Sequence, residues 1–112
     1  MIDIESLPIT KEAASYAVSF VIPGQAPYLD GHFPGDPLVP AAQLLAWLQV
    51  AVARVDPRLN HGGRFDRAKF LHPVRADARL TLEWTPSGNG WSVTACVGES
   101  IALRAELHPD GL

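Results

Sequence analysis

The chain has 112 residues, of which 47% are hydrophobic, and a formal net charge of −3. This length is typical of one domain, so we expect a single domain over residues 1–112. An acidic chain with no run of Lys or Arg gives no field that attracts a phosphate backbone, which excludes nucleic acid as an expected partner. A chain this short covers only part of its apolar surface, which favours a dimer.

The N-terminus and the cysteine content indicate the cytoplasm. The sequence MIDIESLPIT carries two acids and a proline where a signal peptide has a basic and then an apolar start, and the single Cys96 has no internal disulfide partner. The longest apolar stretch, residues 37–55, contains two prolines, two glutamines and Arg54. These residues are unsuited to the bilayer interior, so the stretch predicts a core helix and no membrane span.

The central helix is predicted from the stretch AAQLLAWLQVAVARV, residues 41–55, which lacks glycine and proline. It is apolar on nearly every side, whereas a surface helix has a polar half, so we expect it to be enclosed. Either Pro37 or Pro40 can mark its start, and Asp56 with Pro57 ends it.

Strands are predicted before and after this helix in the chain. Apolar residues alternate with polar ones from residue 15 to 22, and the same pattern recurs at 65–70, 80–84, 91–97 and 101–107. One apolar helix and about five amphipathic strands predict an α+β fold, in which a curved antiparallel sheet wraps around the helix.

The segment most informative about function is YLDGHFPGDPLVP, residues 28–40. It places His32 between glycines and prolines immediately before the helix. Proline fixes its own φ, so such a segment is stiff, and a helix start offers unpaired backbone N–H groups and a positive dipole end. A histidine base and a site for a polarised carbonyl oxygen are therefore expected to be neighbours.

Two motifs carry a family resemblance. GHFPGDPLVP, residues 31–40, resembles the GHFPGxPxxPG signature of hotdog-fold β-hydroxyacyl-acyl-carrier-protein dehydratases, and KFLHPVRADARLTL, residues 69–82, resembles their KFxxPVxPGDxL segment. The likeness extends roughly from residue 15 to 107. The neighbourhood of Gln43, Leu45 and Trp47 is similar to the short dehydratase-like subunits of aryl-polyene pathways. The resemblance implies a hotdog fold formed by the predicted helix and sheet.

The resemblance also implies a reaction and a partner. His32 would remove the α-proton of a 3-hydroxyacyl chain on acyl carrier protein, a helix acid would assist loss of the β-hydroxyl, and a trans-2-enoyl thioester would form. The thioester oxygen would be held by the backbone N–H of Ala41. No cofactor and no metal are expected. The substrate-binding residues implied by the resemblance are Phe33, Gly35, Pro40, Ala41, Gln43, Ala46 and Trp47.

The chain departs from the family pattern at residue 46, where Ala46 occupies the position of the acid. Gln43 and Gln49 lie one turn to either side, and an amide can orient a hydroxyl but cannot donate a proton as a carboxylic acid does. Three functions therefore stay open: a dehydratase, a non-catalytic subunit of a heterodimer that lacks the acid, and an acyl thioesterase. The family's dimers leave both a homodimer and a heterodimer with another hotdog subunit open.

The remaining polar residues give weaker indications. The histidines outside the motif are expected to be solvated, and their spacing is not that of metal ligands. The basic residues that follow the helix are predicted to form a solvated face or, if they converge, a docking site for an acidic carrier protein. These residues are His61, His72 and His108, and Arg58, Arg64, Arg67, Lys69 and Arg75.

Overall fold

The computed structural model of the protein describes residues 2–24 and 38–109. The described residues form one α-helix and a six-stranded sheet in the order β1-β2-β4-β5-β6-β3, with every neighbouring pair antiparallel. The expected α+β arrangement is confirmed. The elements are β1 Thr10–Glu12, β2 Ser15–Val21, α1 Ala41–Ala53, β3 Gly63–Phe70, β4 Arg79–Ser87, β5 Gly90–Val97 and β6 Ser100–Pro109.

The sheet has six strands where about five were expected, and β1 is the additional strand. Its three residues are all exposed, so they lack the apolar alternation by which the other strands were identified. It pairs with β2 through a tight turn in which Ala13 has φ 54°. A short exposed edge strand of this kind leaves almost no signal in the sequence.

The core lies between the inner face of the sheet and one side of α1. The predicted alternation places Leu80, Leu82 and Trp84 of β4 inward, where all three are fully buried. Removing an apolar side chain of this size from water stabilises the fold by about 1.5–3 kcal/mol. The buried side of α1 consists of Leu44, Trp47, Leu48, Ala51 and Val52.

Helix α1 begins at Ala41, at the later of the two predicted starts, because Pro40 has extended backbone angles and occupies the N-cap. The expectation that the helix is enclosed is wrong for the single chain, since Ala41, Ala42 and Ala46 are exposed. Alanines read as apolar in the sequence, yet their small side chains lose little by remaining in water. Over residues 2–24 and 38–109, no helix is long and apolar enough to cross a membrane.

A buried carboxylate fastens the chain just after α1. Asp56 is 6% exposed, and it accepts hydrogen bonds from the Arg58 side chain at 2.8 and 3.0 Å and from Trp91 Nε1 at 2.8 Å. The Arg58 hydrogen bonds, with that of Trp91, lower the pKa of Asp56 from 3.8 to about 2 against the opposing effect of burial. The carboxylate thus joins the turn after the helix to β5.

We predict that Asp56 makes the protein acid-sensitive. Its folded pKa lies below the ordinary value, so its contribution is complete well above pH 3.8 and is lost as the pH falls towards 2. The shift corresponds to roughly 2 kcal/mol. Urea unfolding between pH 6 and pH 2.5 should show this loss of unfolding free energy in the wild type. In Asp56→Asn the free energy of unfolding should decrease less over the same pH range. Glu99→Gln, at an exposed turn, should show the same decrease in unfolding free energy as the wild type.

Candidate functional site

The predicted base His32, together with Phe33 and Gly35, lies outside the described residues. The structure describes the positions on either side, up to Gly24 and from Leu38 onward. What can be built from the residues is therefore the frame around this segment: the turn on which its two ends meet, the start of α1, and the groove beside that start.

The two family motifs are neighbours in space. Before the His32 segment, the Ile22 amide donates to the carbonyl of Ala78 at 2.8 Å, and after it the Val39 amide donates to the carbonyl of Val74 at 2.8 Å. Both acceptors belong to the second motif, residues 69–82. The second motif therefore contacts the described residues on both sides of the segment that contains His32.

The start of α1 presents a backbone donor that has no partner among the described residues. The first intrahelical hydrogen bonds run from the amides of Gln43 and Leu44 to the carbonyl of Pro40, at 3.0 and 3.3 Å. Pro40 has no side chain that could cap the helix, and none of the described residues accepts a hydrogen bond from the Ala41 amide. This N–H at the positive end of the helix can donate to a carbonyl oxygen, as the resemblance implies.

An apolar groove lies beside the start of α1, and Ala41 is one of its lining residues. It encloses about 250 Å³ and is open to solvent, and Phe70 and Leu71 on its wall are 50% and 45% exposed. Exposed large apolar side chains next to polar groups are typical of a binding site. Sequence reasoning missed this groove, because the strand pattern did not show that the end of β3 would face the helix start. Its lining residues are Val39, Ala41, Leu44, Phe70, Leu71, His72, Pro73 and Val74.

The helix residues predicted for the site fall on different sides of α1. Ala46 is exposed and Gln43 is half-buried, whereas Trp47 is 6% exposed and packs edge-on against Phe20 with 5.1 Å between ring centroids. The side-chain amide of Gln49 donates a hydrogen bond through Nε2 to the backbone carbonyl of Leu59 at 2.8 Å. Gln49 is thereby held by the connector after the helix, and it is not available to replace an acid at residue 46.

The basic residues converge only in part. Arg64, Arg67 and Lys69 lie on β3, at one edge of the described sheet, and Lys69 faces Arg104 across the β3–β6 pair. Arg58 instead binds Asp56 after the far end of α1. Within residues 2–24 and 38–109, no group of three His, Cys, Asp or Glu side chains is arranged to hold a metal ion.

Comparisons with known proteins agree with this frame. A family model for ApeI-like proteins, described as ApeI dehydratase, matches residues 8–100. The chain is 33% identical over 96 residues to the 3-hydroxyacyl-[acyl-carrier-protein] dehydratase FabZ of Verminephrobacter eiseniae, covering 72% of this chain and 64% of FabZ. It therefore spans a little less than two thirds of that relative.

Solved structures share the fold at low sequence identity. The dehydratase heterocomplex ApeI:P from Xenorhabdus doucetiae aligns with a TM-score of 0.75 at 16% identity, covering 90% of this chain and 92% of that one. A thioesterase superfamily protein from Shewanella loihica PV-4 aligns with a TM-score of 0.54 at 12% identity, covering 92% and 88%. These likenesses show the fold alone.

The chain has one α-helix packed on a curved antiparallel sheet, and its two dehydratase motifs are neighbours near the start of that helix. These features place it in the class of hotdog-fold dehydratase-like proteins. More narrowly, the chain belongs to the ApeI-like dehydratase family. The fold and the resemblance predicted from the two motifs are thereby confirmed.

The exposure of Ala46 predicts that an acid can be restored there without loss of stability. In Ala46→Glu the carboxylate can remain in water, so we expect the free energy of unfolding to change by no more than about 0.5 kcal/mol. Leu48→Glu, two residues along and fully buried, would place an unpaired charge in the core and should prevent folding. Urea unfolding of both variants at pH 7 checks this. Strong destabilisation by Ala46→Glu would contradict the placement of residue 46 on the open side.

Proposed function

We propose that the protein is a dehydratase-like subunit acting on β-hydroxyacyl thioesters of acyl carrier protein, as one cytoplasmic domain over residues 1–112 that uses no cofactor. The observation that carries the proposal is that the described end of the first motif pairs with the second motif just before the start of α1, where the Ala41 amide has no partner among the described residues. The open apolar groove that Ala41 helps to line suits the alkyl or aryl part of an acyl chain.

The proposed reaction is the elimination of water from a 3-hydroxyacyl thioester. His32 takes the α-proton, since an imidazole titrates near neutrality and serves as a base at that pH. The negative charge that develops on the thioester oxygen is stabilised by the Ala41 N–H and the positive end of α1. The bond from the β-carbon to oxygen breaks, and the hydroxyl leaves as water once it receives a proton. Phe33, Gly35, Pro40 and Trp47 complete the proposed site.

The departing hydroxyl needs a proton donor other than residue 46, because Ala46 stands at the position of the family's acid. Ala46 lies on the open side of α1, where a second subunit can reach it. We propose that the protein works in a heterodimer whose partner, another hotdog subunit, supplies the carboxylate. The structural neighbour described as a dehydratase heterocomplex supports such an assembly.

A second candidate function is favoured by the same residue. A subunit that has lost its acid can contribute only an interface and leave turnover to its partner. The two candidates differ in whether His32 takes part in the reaction, and this difference can be measured directly.

Carrier docking is proposed at the β3 edge. Arg64, Arg67 and Lys69 lie along this strand and Arg104 lies opposite Lys69, while Asp66 and Glu106 are the acids among them and Arg67 pairs with Glu106 at 3.5 Å. An acidic carrier protein would be steered to such a surface, and the effect would weaken as salt is added.

The test is a mass-spectrometric dehydration assay with a 3-hydroxyacyl carrier protein. We expect the wild type alone to lose water slowly and Ala46→Glu to be faster by on the order of 10²-fold, the lower range for a general acid. His32→Ala in the Ala46→Glu background should abolish turnover. His61→Ala, at an exposed histidine of the connector, should leave the rate unchanged.

Each alternative has its own outcome in this assay. Turnover that survives His32→Ala would refute the assignment of the base and favour the non-catalytic subunit. Fast dehydration by the wild type alone would refute the need for a partner's acid. Release of free carrier thiol without loss of water would identify a thioesterase instead.

A further inference from the structure

Burial divides the lining of the groove beside α1 into a floor and a wall. Val39, Leu44 and Val74 are buried and form its floor. Phe70 and Leu71 are exposed and form its wall towards solvent. A molecule in the groove therefore has a buried apolar surface beneath it and water on its open side.

The floor is closed towards the core. The amide of Val39 donates to the carbonyl of Val74 at 2.8 Å, which holds the two valines together. One turn from Leu44, on the same buried side of α1, Trp47 packs edge-on against Phe20 with 5.1 Å between ring centroids. All five residues belong to one buried cluster. Because protein cores are close-packed, a molecule in the groove can extend inward only by displacing these side chains.

The volume of the groove limits what it can hold. It encloses about 250 Å³. Water takes up about 30 Å³ in the liquid, so this volume corresponds to roughly eight water-sized groups, and a methylene group is close to water in size. Ala41, whose amide is proposed to bind the thioester oxygen, also lines the groove. The carbon chain attached to that carbonyl therefore has direct access to this volume.

We propose that the groove distinguishes short acyl chains by length, up to about eight carbon atoms, and that Leu44 determines this limit. Leu44, with Trp47 and Phe20 behind it, keeps the chain out of the core. Carbon atoms beyond the limit pass the exposed wall and stay in water, where they add nothing to binding. This inference rests on the proposed function, which brings an acyl thioester to Ala41.

The limit can be measured without turnover, by isothermal titration calorimetry with saturated S-acyl pantetheines of four, six, eight, ten and twelve carbon atoms. Affinity should rise about fourfold for each methylene up to about eight carbons, the change that corresponds to about 0.8 kcal/mol for each buried CH₂, and then stay level. Affinity that keeps rising to twelve carbons would refute the closed floor. Equal affinity for four and eight carbons would refute binding of the chain in the groove.

A matched pair of surface variants tests the wall. Leu71 and Val21 are both 45% exposed, but only Leu71 lines the groove. Leu71→Ala should weaken the binding of octanoyl-pantetheine several-fold, because it removes apolar surface that the chain covers. Val21→Ala should leave this affinity unchanged. Equal effects of the two substitutions would contradict the proposed location of the chain.

A pair of core variants tests the floor. Leu44→Ala shortens a floor side chain by three carbon atoms, so affinity should keep rising beyond the length at which the wild type becomes level. Leu107→Ala, at a fully buried residue that does not line the groove, controls for the loss of stability and should keep the wild-type limit. An unchanged limit in folded Leu44→Ala would refute its role. If Leu44→Ala does not fold, the length series and the Leu71 and Val21 pair still decide whether the groove holds the chain.

The last comparison connects binding to the reaction. In the Ala46→Glu background, the kcat/KM of dehydration for 3-hydroxyacyl carrier proteins of the same chain lengths should rise and become level as the affinities do. A different dependence on length would refute the groove as the place of the chain during the reaction. If no variant dehydrates these substrates, the proposed function fails, and calorimetry still decides whether the groove sets a length limit.

Discussion

The rest of the structure depends on burying one side of α1 against the inner face of the sheet. Leu48, Ala51 and Val52 are fully buried there, on a helix that packs against the inward-facing residues of β4 and β5. Because helix and sheet cannot bury these faces separately, neither element would be stable alone. The position of the helix start, and of every group proposed to act there, follows from this contact.

The two ends of α1 differ in the polar contacts that they make. After its last turn, Arg54 donates to the carbonyls of Ile4 and Leu7 at 2.8 and 2.6 Å, and Asp56 binds Arg58 and Trp91. The chain is thus fastened to the N-terminal segment and to β5. The start has a proline N-cap with no side-chain hydrogen bond. Among the described residues, stabilising polar contacts are therefore concentrated after the helix, and the Ala41 amide at its start has no partner there and can donate to a substrate carbonyl.

How much the sequence could predict varies with the kind of signal. Alternating apolar residues identified the long strands, and an unbroken apolar stretch identified α1, because burial imposes those patterns directly. The exposed strand β1 and the open side of α1 were missed, because three polar residues and a few alanines carry no such pattern. The groove at Phe70 and Leu71 was also missed, because it depends on which elements meet in space, and local periodicity does not encode that.

The site motif could be found in sequence, but what supports it could not. Proline and glycine spacing around His32 is a local feature, so it is legible from one stretch of chain. The backbone hydrogen bonds by which Ile22 and Val39 pair with the turn at residues 74–78 join parts of the chain far apart in the sequence, so they appear only once the fold is built.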